Sequence, residues 1–160
     1  MIYVKAQDPA PALPAVGVVR RVVQRVRAGL LWGATLLAGM ALAQGGGDQP
    51  QRLQAITLTA GMHNIRAELA VTPTQQATGM MFRTEMGANE GMLFVNSVSG
   101  VRCFWMRNTL VPLTIAFIAD DGTIVNLADM KPQTEDSHCS AKPVRFVLEM
   151  NQGWFAKKNL

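Results

Sequence analysis

The stretch that decides the fold is Leu-Thr-Ile-Ala-Phe-Ile-Ala-Asp-Asp-Gly-Thr-Ile-Val-Asn-Leu, residues 113–127. Two apolar runs rich in β-branched residues flank the Asp-Asp-Gly at 120–122, and an Asp-Gly pair between such runs is among the strongest hairpin signals. Pro112 precedes the first run and cannot donate to a strand ladder, so we expect residues 108–111 to form a bend. The centre of the domain is therefore predicted to be a β-hairpin.

Strand patterns continue on both sides of this hairpin. Residues 53–59 and 63–71 predict two half-buried strands, paired through a turn at Gly61. Further strands are predicted over three segments, which are 92–95, 101–107 and 144–150. About seven strands and one short helix predict a β-rich α+β domain, a small antiparallel sandwich or a partly closed barrel.

The predicted helix follows the second strand. Thr72-Pro73-Thr74-Gln75 combines an N-cap threonine, a proline at the first helical position and a glutamine three residues after the cap. That combination is a capping box, so we predict a helix over residues 73–81.

The charge of the chain is concentrated at its N-terminus. Residues 1–43 hold five basic side chains and one acidic one, which accounts for the whole formal charge of +4. Residues 44–160 then hold ten of each sign and are formally neutral. This part of the chain has no net positive charge to attract phosphates, so nucleic acid is not expected as a partner.

The basic flank precedes sixteen residues without charge, 28–43, which end in Ala41-Leu42-Ala43. This is the pattern of a signal peptide over residues 1–43, with cleavage between Ala43 and Gln44. A flexible Gly-rich linker would follow over 44–52, then a single domain over 53–160, and we expect an extracytoplasmic, periplasmic location. The alternative is an uncleaved N-terminal membrane anchor with the domain facing the periplasm, since about 20 apolar residues span a bilayer.

Export makes a disulfide between Cys103 and Cys139 plausible, because both residues follow the cleavage site and disulfides persist outside the cytoplasm. The alternative is two unpaired, buried thiols.

Several motifs resemble, in order and spacing, the domain-of-unknown-function 192 family, also called uncharacterised protein family 0127. They are Gly79-Met-Met-Phe-Arg83, Gly91-Met-Leu-Phe94, Phe104-Trp-Met-Arg-Asn-Thr-Leu-Val-Pro-Leu113, Ile115-Ala-Phe-Ile118, Asp120-Asp-Gly122, Val147-Leu-Glu149 and Gly153-Trp-Phe155. The resemblance covers roughly residues 55–160 and implies a small β-rich single domain, often exported in bacteria, with no established activity. The family usually has aspartate where this chain has Thr114. Its pattern also continues into a further turn and strand, so the resemblance implies an incomplete C-terminus.

The densest candidate site lies in the predicted strand 101–107. Trp105 and Arg107 share one face of that strand and, with Arg83 at the end of the helix, could form a ligand platform of aromatic surface and anion donors. Asn108 and Glu149 are further candidates for ligand binding. Alternatively, Trp105 is core and Arg107 extends to water, while Asn108 and a neighbouring threonine cap the bend. Both interpretations stay open on the sequence alone.

Acid-base chemistry would require one of the carboxylates. Glu149 is expected on the polar face of the last strand, exposed or paired with an arginine. The chain has no Gly-x-Ser-x-Gly motif, no phosphate-binding glycine loop and no Cys-x-x-Cys pair, which disfavours a hydrolase of familiar design. An enzyme of unfamiliar design, using Glu149 or Glu90 with an arginine, remains an alternative.

A second alternative is Cu(I) binding by methionine, histidine and cysteine, because eight methionines lie after residue 43. Methionines at apolar strand positions are also ordinary core residues. The first hypothesis is therefore a non-catalytic domain that binds a small molecule, an envelope polymer or a protein partner. It needs no cofactor or metal, and its only membrane contact would be an uncleaved N-terminal segment.

Overall fold

The computed structural model describes residues 48–160 and the backbone of a three-residue strand near the N-terminus. The predicted signal peptide, its cleavage site at Ala43 and Gln44, and the first residues of the linker otherwise lie outside the described residues. The described chain forms nine strands: β1 (Val4–Ala6), β2 (Ala55–Ala60), β3 (His63–Ala70), β4 (Glu90–Gly100), β5 (Cys103–Phe104), β6 (Leu113–Ile118), β7 (Ile124–Met130), β8 (His138–Cys139) and β9 (Val144–Asn151). Two short helices, α1 (Pro73–Thr78) and α2 (Trp154–Lys157), complete it.

The main sheet has six strands in the order β2-β3-β4-β9-β6-β7, and β1 adds a short seventh strand beside β2. All neighbours are antiparallel except β3 and β4, which are parallel because the segment containing α1 crosses between them. A second sheet consists of β5 and β8 alone. The predicted β-rich α+β class is confirmed, and the structure refines it to a mixed sheet that does not close into a barrel.

The local signals in the sequence explain the turns. Asp121 accepts a hydrogen bond from the Thr123 N–H at 2.9 Å, and Gly122 adopts a φ of 84°, which closes the predicted β6–β7 hairpin. At α1 the Thr72 side chain and the Gln75 side chain form the predicted capping box. The helix ends at Thr78, three residues earlier than predicted.

One predicted strand is much shorter than expected. Residues 101–107 were predicted as extended, but only Cys103 and Phe104 pair, with β8. Beyond them the Met106 N–H donates to the carbonyl of Thr134, and Asn108 adopts a φ of 55°. The chain therefore turns at the Trp-Met-Arg-Asn block, and the alternation that placed Trp and Arg on one strand face does not apply.

Both faces of the main sheet are covered. Paired residues on neighbouring strands project to the same face, which divides the core into two clusters. The first lies under β5, β8 and the loops around them: Ala70, Met80, Met92, Phe94, Met106, Val111, Leu113, Ile115, Phe117, Met130, Val144 and Val147. The second lies under α2: Leu58, Ala60, Ile65, Ala67, Leu93, Ala116, Ile118, Leu148, Met150, Trp154 and Phe155.

A disulfide joins Cys103 and Cys139, so the predicted bridge is present. It links the directly paired residues of β5 and β8 and closes a sequence separation of 36 residues. The layer that covers the first cluster is thereby fixed as one unit. Within the described residues, neither helix has the length and apolar character needed to cross a bilayer.

Candidate functional site

A cleft of about 350 Å³ opens in the first face of the domain, between the end of α1 and strand β5. Residues 76–81 form one wall and residues 102–105 the other. Phe94 and Asn96 of β4 and Thr109 add to the lining. Glu149 of β9 also lines the cleft, although only 4% of the residue is exposed.

The sheet register explains how Glu149 reaches this cleft. Met92 pairs with Glu149 on one side and Ile115 pairs with it on the other, so its side chain projects to the first face together with theirs. The sequence predicted an exposed or arginine-paired carboxylate on a polar strand face. That prediction was wrong about the environment, because the disulfide-linked layer and the segment after α1 cover this face as well.

Burial dominates the chemistry of this carboxyl group. Desolvation raises the pKa of Glu149 from 4.5 to about 8, and the Arg83 guanidinium opposes the rise only in part. Within residues 48–160 the Glu149 carboxyl forms no hydrogen bond, and Arg83 forms its ion pair with another residue. At neutral pH Glu149 is therefore a neutral acid, able to donate one hydrogen bond and to accept others.

Arg83 lies behind the cleft, not on a ligand-facing surface. It is 5% exposed and forms a bidentate pair with Glu68, with N–O distances of 3.1 and 2.8 Å, and it also donates to the Gln51 carbonyl. Burial opposes ionisation of Glu68, but hydrogen bonds from Arg83 and from the Leu53 N–H keep its pKa below the ordinary value. The predicted surface of Arg83, Trp105 and Arg107 is therefore corrected: Arg83 is a buried partner of Glu68.

Trp105 and Arg107 do lie together at the surface. Trp105 is 50% exposed, and the Arg107 guanidinium carbon lies 6.0 Å from the centre of its ring. Arg107 also pairs with Glu135 at 3.7 Å, with both side chains more than half exposed. Trp105 lines the cleft and Arg107 does not, so the tryptophan is the member of the predicted platform that belongs to the site.

Asn108 lies in the bend beside this tryptophan and outside the cleft lining. Its left-handed backbone and its carbonyl, which accepts from the Phe82 N–H at 2.8 Å, shape the turn. Thr109 donates to the Arg107 carbonyl at 3.4 Å. Within residues 48–160 the Asn108 side chain forms no hydrogen bond, so the predicted side-chain cap of the bend comes from Thr109 alone and Asn108 contributes through its backbone.

The carboxylate of Glu90 lies elsewhere. It pairs with Arg66 at 3.2 Å on the surface and accepts from the Gly87 N–H. For Cu(I), the disulfide engages both cysteines, and the described residues bring no group of three or more His, Cys, Asp or Glu side chains together. The disulfide therefore removes both cysteine ligands of the copper alternative, and five methionines lie in the core clusters: Met80, Met92, Met106, Met130 and Met150.

The sequence reasoning missed three polar residues of the cleft. Gln76 is held by hydrogen bonds from its amide to the Ala70 and Val95 carbonyls, and Asn96 by one to the Arg145 carbonyl. No local pattern marks either of them. Arg102 could have been suspected, because it precedes a cysteine of the disulfide.

Comparisons with known proteins find one matching family and similar solved structures. The model of the family DUF192, described as "Uncharacterized ACR", matches residues 56–160. A solved Novosphingobium aromaticivorans protein of unknown function is 39% identical over 68% of this chain and 81% of its own, with a TM-score of 0.64. A Sinorhizobium meliloti 1021 protein, provisionally described as a transcription regulator, is 37% identical over 64% of this chain and 78% of its own, with a TM-score of 0.61. No curated protein matches the chain.

Proposed function

The chain belongs to the uncharacterized DUF192 family, and we propose that it is an extracytoplasmic domain that binds a small molecule non-catalytically in the Glu149 cleft. The observation that carries this proposal is the buried Glu149 carboxyl, which lines an open cleft without a hydrogen-bond partner in residues 48–160. The carboxyl oxygens are not among the fully enclosed side-chain atoms without a partner, so they reach the open space of the cleft, where a ligand can pair with them.

The size and walls of the cleft support a small ligand. Its volume of about 350 Å³ lies within the range of known ligand pockets, roughly 300–1,000 Å³. Apolar side chains form much of the walls: Met80, Met81, Phe94, Phe104 and Trp105. A few polar groups among apolar walls are the usual means of orienting a small molecule.

The proposed location rests on the disulfide. Cys103 and Cys139 are both exposed, and a disulfide of this kind persists in an oxidising compartment. Cleavage before Gln44 would deliver the domain there. The formally neutral body, with ten basic and ten acidic side chains over residues 44–160, gives no support for carrying DNA regulation over from the Sinorhizobium protein.

Two tryptophans allow a direct test of the binding site. Trp105 lines the cleft, whereas the Trp154 indole lies in the second core cluster and donates to Asn89 at 3.0 Å. We would titrate the ¹⁵N-labelled protein with N-acetylglucosamine, benzoate and putrescine, an uncharged sugar, an anion and a cation. One probe is expected to shift the Trp105 indole signal and leave the Trp154 signal in place.

The control variant is Leu110→Ala, which removes an exposed apolar side chain near the cleft but outside its lining. It is expected to bind as wild type does. If these three probes and the tetramer of N-acetylglucosamine all leave the Trp105 signal unmoved at millimolar concentration, the binding proposal is wrong. The intact mass of periplasmic protein tests export separately: a chain that begins at Gln44 supports it, and an unprocessed chain in the cytoplasm contradicts it.

A second candidate function is an enzyme that uses Glu149 as a general acid. Its pKa of about 8 favours this candidate, because a carboxylic acid that keeps its proton at neutral pH can protonate a leaving group. Turnover of a bound probe that Glu149→Gln abolishes would favour the enzyme. Binding without turnover in the wild type would favour the binding module.

A further inference from the structure

The cleft-lining residues hold several hydrogen-bond acceptors without a protein donor, and the buried Arg102 Nε is a donor without a protein acceptor within residues 48–160. Gln76 and Asn96 both use their amide nitrogens on backbone carbonyls, and their amide oxygens accept no hydrogen bond within residues 48–160. The carbonyls of Gln76 and Ala77, at the end of α1, likewise accept none there. A ligand that satisfies this cleft must therefore bring several donors and at least one acceptor.

The charges around the cleft indicate what kind of donors these are. Arg102 lines the cleft, and Arg83 acts on Glu149 from behind it. The Arg102 guanidinium beside a neutral carboxylic acid disfavours an ammonium ligand, because like charges repel in a partly desolvated site, whereas Glu68 offsets the charge of Arg83. Uncharged hydroxyl groups supply donors without that penalty, and each also accepts a hydrogen bond, which the Arg102 guanidinium can provide.

The walls add a requirement for an apolar face. The half-exposed Trp105 ring borders the cleft, and Phe94 and Phe104 pack edge to face beside it with ring centres 4.9 Å apart. Aromatic rings provide flat apolar contact at small cost in conformational entropy. A pyranose ring combines both features: it has hydroxyl groups around its edge and carbon-bound hydrogens on a flat face.

We infer that the ligand of the Glu149 cleft is an uncharged sugar, stacked on Trp105 and donating its hydroxyls to the acceptors of Gln76, Ala77 and Asn96. This inference rests on the proposed binding function. The cleft volume and the buried acid support a small ligand, and the acceptors and the Trp105 ring indicate its chemical class.

The test extends the titration to saturation-transfer NMR with N-acetylglucosamine and its β-1,4-linked tetramer. When the aromatic protons of the protein are saturated, the saturation should transfer to the ring C–H protons of the bound sugar. Trp105→Ala is expected to weaken binding about tenfold, Trp105→Phe to restore part of the loss, and Leu110→Ala to change nothing. Tighter binding of the tetramer would indicate a glycan chain, and equal binding a free sugar.

The outcomes separate this inference from the proposed function. If benzoate or putrescine moves the Trp105 indole and neither sugar does, the sugar assignment is wrong and the cleft remains a small-molecule site. If none of the four probes binds, both proposals fail. Sugar binding that Trp105→Ala leaves unchanged would also overturn the inference, because the sugar would then lie outside this cleft.

Discussion

Replacing Glu149 with glutamine is expected to stabilise the domain, and the gain in unfolding free energy should increase as the pH rises. The folded chain keeps the Glu149 proton up to about pH 8, whereas the unfolded chain releases it near pH 4.5. Across that window the folded state binds more protons, so the free energy of unfolding of the wild type falls as pH rises. Glutamine, neutral at every pH, removes this dependence.

The size of the effect follows from the same two values. At about 1.4 kcal/mol per pH unit above 4.5, Glu149→Gln should be about 3 kcal/mol more stable than wild type at pH 7. The gain should be close to zero at pH 4.5 and reach about 5 kcal/mol at pH 8. Urea denaturation of the oxidised protein at pH 5, 6, 7 and 8 measures it.

The matched control is Glu135→Gln, which removes a carboxyl that is more than half exposed. Its difference from wild type should stay within about 0.5 kcal/mol at each pH. Contributions from other groups are common to both proteins and cancel in the difference between variant and wild type. A Glu149→Gln gain that is the same at pH 5 and pH 8 would refute the assignment of a buried, neutral acid.

Three further variants test the residues that support the cleft. Arg83→Met should cost about 3–5 kcal/mol of unfolding free energy, measured with urea, because it leaves the Glu68 carboxylate buried without its partner. Replacing Cys103 and Cys139 together with serine should cost about 4 kcal/mol by the chain-entropy model for a separation of 36 residues, measured as a lower urea midpoint. Gly91→Ala should cost about 1–3 kcal/mol and lower the melting temperature, since a Cβ there would lie 2.5 Å from a backbone carbonyl of β9.

Each of these variants has its own contradicting outcome. Arg66→Met breaks only an exposed ion pair and should cost less than about 1 kcal/mol of unfolding free energy. If Arg83→Met costs equally little, Arg83 is a surface residue and its buried pair with Glu68 is contradicted. An unchanged midpoint in the double serine variant would mean that the bridge does not constrain the unfolded chain. Wild-type stability in Gly91→Ala would contradict the close approach of β4 and β9.

Local signals accounted for much of the fold. The Asp-Gly hairpin, the capping box at Thr72 and the turn at Gly61 each depend on a few adjacent residues, and each is present in the structure. The bridge between the two cysteines needed only the additional argument of export. Such features are predictable because their physical causes lie within a few residues of the chain.

The site depended on contacts between distant segments. Glu149 alternates with apolar residues as a solvent-facing carboxylate would, and its burial follows only once the disulfide-linked layer covers that face. The strand predicted through Trp105 ends because the Met106 N–H bonds to the carbonyl of Thr134, 28 residues away. Arg83 is buried by Glu68, a residue that no motif singled out. Pairings of this kind leave no periodic trace in the sequence.

The Glu149 cleft is expected to hold a buried carboxylic acid that is neutral at physiological pH. A ¹³C NMR titration of the Glu149 carboxyl carbon, assigned by its loss in Glu149→Gln, tests it most directly. We expect a midpoint near pH 8. A midpoint near the ordinary value of 4.5 would show an ionised, solvated side chain and would contradict the account of the site.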